Sequence, residues 1–441
     1  RFIFSALLLD ILAFTVILPL FPQLLRYYEQ TDGRDAGSLY ATCLDVVKQV
    51  QRAAGVAPQS RLDIILLGGL LGSWFALLQF LISPWIGRLS DRYGRRPILL
   101  VSMLGNAVSM FLWLIATSFP MFVLSRTIGG LTEGNVQISQ AMIADVTDAT
   151  SRPRGMALVG IAFSLGFTAG PPLGAYFTSL DVTRALPFLA SWGAYEFSGP
   201  ALFALVLIAV EAVYLLVGMP ETRGYRLDGD GTIAASGPSS AKATTTTTPP
   251  AVAEAAAGAT ALDPAAATRA LRRLGGLHCA YLFLFSGMEF TLTFLTFDRF
   301  GYSRTQQGML LGAMGLLSAA VMGGYTRRAT ARQGERRMAQ QGMAAGAAGL
   351  AVLARAHSPA RLRLAAALLA FTSATVSSSL ASWASLLAPH AAGHHGAVLG
   401  RFRSIGQLGR ALGPLTAAVT YWMLGSDVCY TIGAVALALL T

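Results

Sequence analysis

The sequence predicts an all-α membrane protein, with twelve helices arranged as two pseudo-symmetric six-helix bundles around a central cavity. Hydrophobic residues make up 54% of the 441 residues and charged residues only 12%, about half of the ~25% charge typical of soluble domains. The apolar residues come in blocks of about twenty, the length of a helix that crosses the ~30 Å hydrocarbon layer. Short motifs also recur between the two halves. Length, hydropathy and repetition together indicate a polytopic, two-fold repeated bundle.

Apolar blocks predict six spans in each half of the chain. In the first half they lie near residues 2–25, 64–86, 98–117, 119–141, 155–178 and 197–219. In the second half they lie near 274–297, 307–326, 338–354, 362–387, 398–424 and from 428 onward. The last block is too short to cross a bilayer alone, so we interpret it as a truncated twelfth helix; a short interfacial helix is the alternative.

A low-complexity segment divides these blocks into two domains. It contains the threonine run 244–248 and Pro249–Pro250, and it lacks a periodic apolar face that could pack. We therefore expect an N-terminal bundle over 1–222, a disordered cytoplasmic linker over 223–270 and a C-terminal bundle over 271–441.

The formal net charge of +11 fits basic cytoplasmic loops better than nucleic-acid binding, because no basic run is interleaved with base-stacking aromatic residues. The distribution of Lys and Arg places both termini in the cytoplasm. The three cysteines have no metal-ligand spacing. The sequence therefore predicts an integral, multi-pass protein of a plasma or organelle membrane that contacts lipid, acts as a monomer and has no cofactor or metal.

The loop between spans two and three carries the most specific motif. It reads Gly87–Arg88–Leu89–Ser90–Asp91–Arg92–Tyr93–Gly94–Arg95–Arg96–Pro97 and resembles the second-loop signature of the major facilitator superfamily. The resemblance implies that Asp91 closes the cytoplasmic side, with Arg92 and Arg95 as ionic partners. Glycine at 87 permits close helix contact, and glycine at 94 permits a turn. The alternative is an ordinary basic loop.

A second motif lies in span five, where Gly166, Gly170 and Gly174 share one helix face and Pro171 introduces a kink. It resembles the Gly-Pro motif of antiporters and favours antiport over uniport. Span eleven repeats it at Gly413–Pro414. Packing of small residues without a transport role is the alternative.

Charged residues inside the spans are candidate substrate or proton sites. Arg126 lies within span four, where a charge costs about 2.5–3.5 kcal/mol, and Glu133 follows two turns later on nearly the same face. We expect Arg126 to meet either an anionic substrate or an acidic side chain, and both contacts could form at different stages of transport.

The same cost argument selects Asp10 in span one, Glu289 in span seven, and Arg403 and Arg410 in span eleven. A carboxyl group in a partly dry cavity can carry a proton, so Asp10 and Glu289 are candidates for proton coupling. Hydrogen bonding between packed helices is the alternative for each residue and the preferred interpretation for Glu211.

These motifs together resemble the drug–proton antiporter branch of the major facilitator superfamily, which includes bacterial tetracycline exporters. The blocks 161–171, 281–296 and 400–414 resemble animal carriers of the tetracycline transporter-like group. The resemblance implies proton-coupled transport of small organic anions or amphipathic drugs by alternating access. One departure is that the second half's copy of the loop signature, Gly324 with Arg327 and Arg328, lacks the aspartate.

Two other functions remain open from the sequence. An uncoupled facilitator would need no proton site, and a transport-inactive scaffold or receptor could keep the same fold. An enzyme is not expected, because the sequence shows no nucleophile–base pairing and no phosphate-binding loop.

Overall fold

The computed structural model is almost entirely helical. It describes residues 2–17, 20–35, 37–53, 60–147, 152–178, 180, 182–222, 225–227, 233–235, 263–388 and 395–441. The helices of the first half are α1 Phe2–Thr15, α2 Phe21–Thr31, α3 Leu39–Ala53, α4 Ser60–Tyr93, α5 Arg95–Leu114, α6 Phe119–Thr132, α7 Asn135–Val146, α8 Arg152–Thr178, α9 Val182–Ala185, α10 Pro187–Ser191 and α11 Ser198–Gly218.

The second half follows the same plan of long helices. Its helices are α12 Pro264–Phe300, α13 Arg304–Val321, α14 Arg327–Gln333, α15 Glu335–Ala354, α16 Pro359–Leu387, α17 His395–Leu424 and α18 Ser426–Leu439. Each predicted span therefore corresponds to one helix or to two consecutive helices. Within the described residues, seven helices are long and apolar enough to cross a membrane.

The first and fourth spans are broken, where the sequence predicted continuous helices. Span one ends at Thr15 and resumes at Phe21, with a proline in the first turn of the new helix, a position where proline is well tolerated. Span four is interrupted at Glu133 and Gly134, and Glu133 takes an extended conformation with ψ 94°. This break turns the chain only after Glu133, so Arg126 and Glu133 still line one small pocket, as expected of residues on nearly the same face.

Span eight also departs from a regular α-helix. Residues Met322–Thr326 form a π-helical turn between α13 and α14. Its two adjacent glycines, Gly323 and Gly324, lower the helix propensity of this turn. Such π turns are frequent at functional sites.

The segment between the halves contains two short strands, Tyr225–Leu227 and Ile233–Ala235, which pair antiparallel. The threonine run and Pro249–Pro250 lie outside the described residues. Helix α12 begins at Pro264, inside the predicted linker, because Asp263 caps it by accepting a hydrogen bond from the Ala265 N–H at 3.2 Å.

Two pairs of helices pack in the same way in the two halves. Helix α1 packs along α8 in the first half, and α12 packs along α17 in the second. The halves meet through α4 against α17 and through α8 against α13. This arrangement leaves the space between α8, α12, α13, α16 and α17 for a cavity.

Candidate transport site

The halves are joined on the signature side, which we define as the end of the bundle that carries residues 87–97. The carboxylate of Asp91 accepts hydrogen bonds from the N–H groups of Gly396 at 2.9 Å and Ala397 at 2.7 Å. These N–H groups belong to the first turn of α17, where the helix dipole favours a negative charge. A Cβ atom on Gly87 would overlap the Gly396 carbonyl oxygen. The motif therefore provides both the charge and the close approach at this contact.

Arg95 anchors the same motif from within the first half. Its guanidinium pairs with Asp91 at 2.8 Å and with Asp145 at 2.9 Å. Glu221 accepts hydrogen bonds from the N–H groups of Arg95 at 2.8 Å and Arg96 at 3.1 Å, and so caps the start of α5. Gly94 precedes this helix at φ 105°, a left-handed conformation that favours glycine.

Arg92 differs from Arg95 in its position. The Arg92 side chain lies on the exposed face of the motif, with its guanidinium carbon 5.4 Å from the centre of the Tyr93 ring. Arg95 is only 3% exposed. The two arginines that the resemblance assigned to Asp91 therefore occupy different environments, and Arg95 is the one held between two carboxylates.

The Gly-Pro motif of span five lies against span one. Cβ atoms added to Gly166, Gly170 and Gly174 would overlap Ile11, Thr15 and Val16 of the first span. The Thr15 hydroxyl donates a hydrogen bond to the Gly166 carbonyl at 2.9 Å. These glycines therefore set the contact between α1 and α8, whereas the adjacent Pro171 lines the cavity.

The repeat in span eleven has the matching position in the second half. A Cβ atom on Gly413 would overlap the carbonyl oxygen of Phe283 and the hydroxyl of Ser286 on α12. Pro414 lies inside helix α17. The sequence echo between spans five and eleven thus corresponds to equivalent helix contacts.

A cavity of about 1610 Å³ lies between the two halves. It extends to Gln23 and Arg26 on α2, the helix that continues span one away from the signature side, and to Asp298 near the end of α12. Its wall is largely apolar, and its aromatic members include Phe163, Phe167, Phe285, Phe294, Phe297 and Trp422. The volume exceeds the roughly 300–1,000 Å³ of common small-molecule sites. The cavity can therefore hold an amphipathic solute together with water.

Most of the charged part of this wall comes from the second half, with Arg26 as the first-half member. Glu289, Arg403 and Arg410 all line the cavity, and Arg410 lies within electrostatic range of Glu289. Gln407 lies between the two arginines on the same face of α17, since residues four and three apart neighbour one another on a helix. It is only 5% exposed and its Oε1 atom has no hydrogen-bond partner among the described residues.

A second group of charges lies in the first half, away from this cavity. Asp10, Arg126 and Glu133 line a pocket with only about 20 Å³ of free volume. The Asn135 amide donates to Asp10 at 2.6 Å, and the Asn106 amide donates to Glu133 at 3.2 Å. We call Asp10, Arg126 and Glu133 the N-half cluster.

Aromatic rings enclose the arginine of the N-half cluster. The Arg126 guanidinium carbon lies 4.5 Å from the centre of the Trp113 ring and 5.8 Å from that of Phe75. Its Nη2 atom donates to the Ser109 hydroxyl at 3.4 Å. Arg126 does not line the large cavity, so in this conformation its partners are protein groups.

The sequence-predicted residues therefore separate into two sites. Arg403 links them, because it lines the cavity and lies within electrostatic range of Glu133 and Asp10. Sequence reasoning missed Gln407, whose signal was its i+4 position after Arg403. It also assigned Glu211 to helix packing, yet the Glu211 Oε2 atom is buried with no hydrogen-bond partner among the described residues.

Comparison with known proteins identifies relatives over the whole length. Residues 3–414 match the Major Facilitator Superfamily. Major facilitator superfamily domain-containing protein 10 is 37% identical in Mus musculus and 38% identical in Homo sapiens, over 98% and 97% of this chain and 88% of each relative. The class C tetracycline resistance protein of Escherichia coli is 31% identical over 65% of this chain and 63% of its own length.

Solved structures agree with this grouping. The crystal structure of the human organic anion transporter MFSD10 superposes with a TM-score of 0.80 at 34% identity, covering 100% of this chain and 97% of that one. The fucose:proton symporter of Escherichia coli superposes with a TM-score of 0.62 at 13% identity, covering 100% of this chain and 96% of that one. The second likeness shows the fold alone, two six-helix bundles around a central cavity.

Proposed function

We propose, on the premise that the chain belongs to the Major Facilitator Superfamily, that it is a secondary active transporter of small organic anions. It would act as a monomer, couple transport to protons and work by alternating access. The observation that carries this proposal is the cavity of about 1610 Å³ whose wall bears Arg403 and Arg410. Membership of the superfamily makes it an integral, multi-pass transporter related to the tetracycline resistance proteins.

The chemistry of the cavity supports an anionic, amphipathic cargo. Arginine presents a planar set of donors that matches a carboxylate, and the three arginines of the wall, Arg26, Arg403 and Arg410, outnumber its two carboxylates, Glu289 and Asp298. The aromatic residues opposite them can bury an apolar ring system. The human relative, described as an organic anion transporter, is consistent with the same substrate class.

The asymmetry of the cavity supports alternating access. The contacts of Asp91 and Gly87 join the halves on the signature side, while the cavity extends toward the other side. The positive-inside distribution supports a cytoplasmic signature side and cytoplasmic termini. Rocking of the halves would break the contact between α4 and α17 and open the cavity toward the cytoplasm.

Flux measurements in liposomes test this function. The purified protein is reconstituted, and uptake of radiolabelled 2-naphthoate, an aromatic carboxylate, is measured with and without an imposed pH gradient. We expect saturable uptake that changes when the gradient is collapsed. Uptake independent of the gradient would indicate an uncoupled facilitator. The absence of uptake for 2-naphthoate and a wider panel of organic anions would contradict the substrate class.

A variant of the signature motif tests alternating access. Gly87→Val would separate α4 from α17, because its side chain overlaps the Gly396 backbone, and we expect flux to fall by at least about tenfold. Gly72→Val is the matched control, since Gly72 lies on the same helix with nothing within 4 Å of an added Cβ. Equal flux in the two variants would contradict a gate at this contact.

A further inference from the structure

The enclosed charges around the N-half cluster do not cancel. Within the described residues, five arginine and carboxyl side chains belong to this cluster or lie within electrostatic range of its carboxyl groups, and they are Asp10, Glu133, Glu211, Arg126 and Arg403. Fully ionised, they would carry three negative and two positive charges, whereas the exposed Glu289 and the half-buried Arg410 offset each other on the cavity wall. Because an uncompensated charge in a low-dielectric interior is costly, the neutral form of this group holds one proton.

Each of the three carboxyl groups of this group, Asp10, Glu133 and Glu211, lies within electrostatic range of another. Glu133 faces Asp10 on α1, Arg126 on α6 and Arg403 on α17. Glu211 on α11 faces Asp10 and Glu133. The described parts of α4 and α5 contribute Phe75, Asn106, Ser109 and Met110 to this pocket, which are uncharged. Two arginines, Arg126 and Arg403, can therefore compensate the negative charge of only two of the three carboxyl groups.

Arg403 is the cation that these carboxyl groups share with the cavity. It lies within electrostatic range of Glu133, and its Nε atom has no hydrogen-bond partner among the described residues. His278, in the same wall, stacks on Phe402 at 4.4 Å between ring centres. We count it as the neutral imidazole because it is buried and shares the cavity wall with two arginines, Arg403 and Arg410. An anion in the cavity can therefore reach Arg403, which lines the cavity and also lies within electrostatic range of Glu133.

We propose that the transported anion and one proton bind together, because the anion draws Arg403 away from Glu133 and the N-half cluster then takes up a proton from water. This inference rests on the proposed transport of organic anions and specifies its coupling. The monoanion adds one negative charge to the group, and the proton restores neutrality. Anion and proton would then travel in the same direction, whereas the Gly-Pro motif of span five had favoured antiport.

Proton uptake on binding tests this inference directly. The purified protein in detergent and weak buffer is mixed with saturating 2-naphthoate, and the pH change is recorded with an indicator dye. We expect uptake of about one proton per bound anion, and by linkage an apparent Kd that rises about tenfold for each pH unit above the uptake range. The neutral 2-naphthamide is expected to cause no uptake.

Charge-removing variants locate the proton. The double variant Asp10→Asn with Glu133→Gln leaves two arginines against one carboxyl group, so anion binding alone restores neutrality and uptake is expected to vanish while 2-naphthoate still binds. The matched control is Glu196→Gln, an exposed acid outside both sites, which should retain uptake of about one proton.

Two results would overturn the proposal while leaving anion transport intact. They are proton release on binding in the wild-type protein, which needs no variant to detect, and unchanged uptake in the double variant. If 2-naphthoate and the wider anion panel neither bind nor move, the proposed function fails and this inference fails with it.

Discussion

The N-half cluster and the cavity wall contain the same kinds of side chain in opposite surroundings. Arg126 is 4% exposed, packed among aromatic rings beside a pocket of about 20 Å³. Arg410 is half-buried beside Glu289 on a cavity of about 1610 Å³. The cost of a charge in the membrane marks both arginines as candidate functional residues. The partners of Arg126 are protein groups, whereas Arg410 remains available to a ligand. An intramembrane charge therefore indicates a site only once its surroundings are known.

The largest expected difference between the two regions is in stability. Arg126→Gln removes a cation from among Asp10 and Glu133, and loss of one partner from such a buried group costs about 3–5 kcal/mol. Arg410→Gln on the cavity wall should lower the free energy of unfolding by less than about 1 kcal/mol. Chemical unfolding in detergent measures both values. Equal losses would remove the distinction between a packed and a solvated charge.

The second-largest expected difference between the N-half cluster and the cavity wall is their access to water. On a background in which Cys43, Cys279 and Cys429 are replaced by serine, Ser377→Cys places a thiol on the cavity wall and Ser109→Cys places one in the N-half cluster. A membrane-impermeant thiol reagent should modify the cavity thiol more than about tenfold faster, because reactivity requires exposure. Similar rates, measured by mass spectrometry, would mean that the cluster is hydrated.

Anion affinity sharpens the comparison within one helix. Arg410→Gln should weaken binding of 2-naphthoate by about tenfold, the effect of losing roughly one charge-assisted hydrogen bond. Arg401→Gln is the matched control, because Arg401 lies on α17 but is exposed and does not line the cavity. Calorimetric titration measures the two affinities. A similar loss of affinity in both variants would indicate that the long-range positive potential of the arginines attracts the anion and that no local site exists at Arg410.

The smallest effect is expected where the halves touch beside the cavity. A Cβ atom on Gly160 would overlap the Met322 side chain from the π-helical turn, but a methionine can shift. Gly160→Ala should therefore lower transport by about threefold, with Gly276→Ala, which meets nothing within 4 Å, as the control. An unchanged flux in Gly160→Ala would show that this contact does not limit the movement of the halves.

The sequence predicted the closed end of the transporter better than its cavity. The Gly87–Asp91 motif combines residue types that a close approach to the first turn of α17 requires, and the structure shows that approach. The sequence did not predict the break that follows Thr132, although Arg126 and Glu133 line one pocket, as expected of residues on nearly the same helix face. Gln407 gave no comparable signal, since a neutral amide in a span carries less of the insertion cost that marks a charged residue.

The sequence by itself determined that this chain spans a membrane many times, repeats short motifs in its two halves and carries a helix-contact motif at residues 87–97. The length of an apolar block and the presence of a short motif are local properties of the sequence. They can be recognised without knowing how the helices pack, because every membrane-spanning helix must satisfy its own backbone hydrogen bonds. Only the tertiary structure decided that Glu289 and Arg410 face water while Asp10 and Arg126 are enclosed. The surroundings of a charge depend on which helices pack around it and where they break, and neither is encoded within a single span.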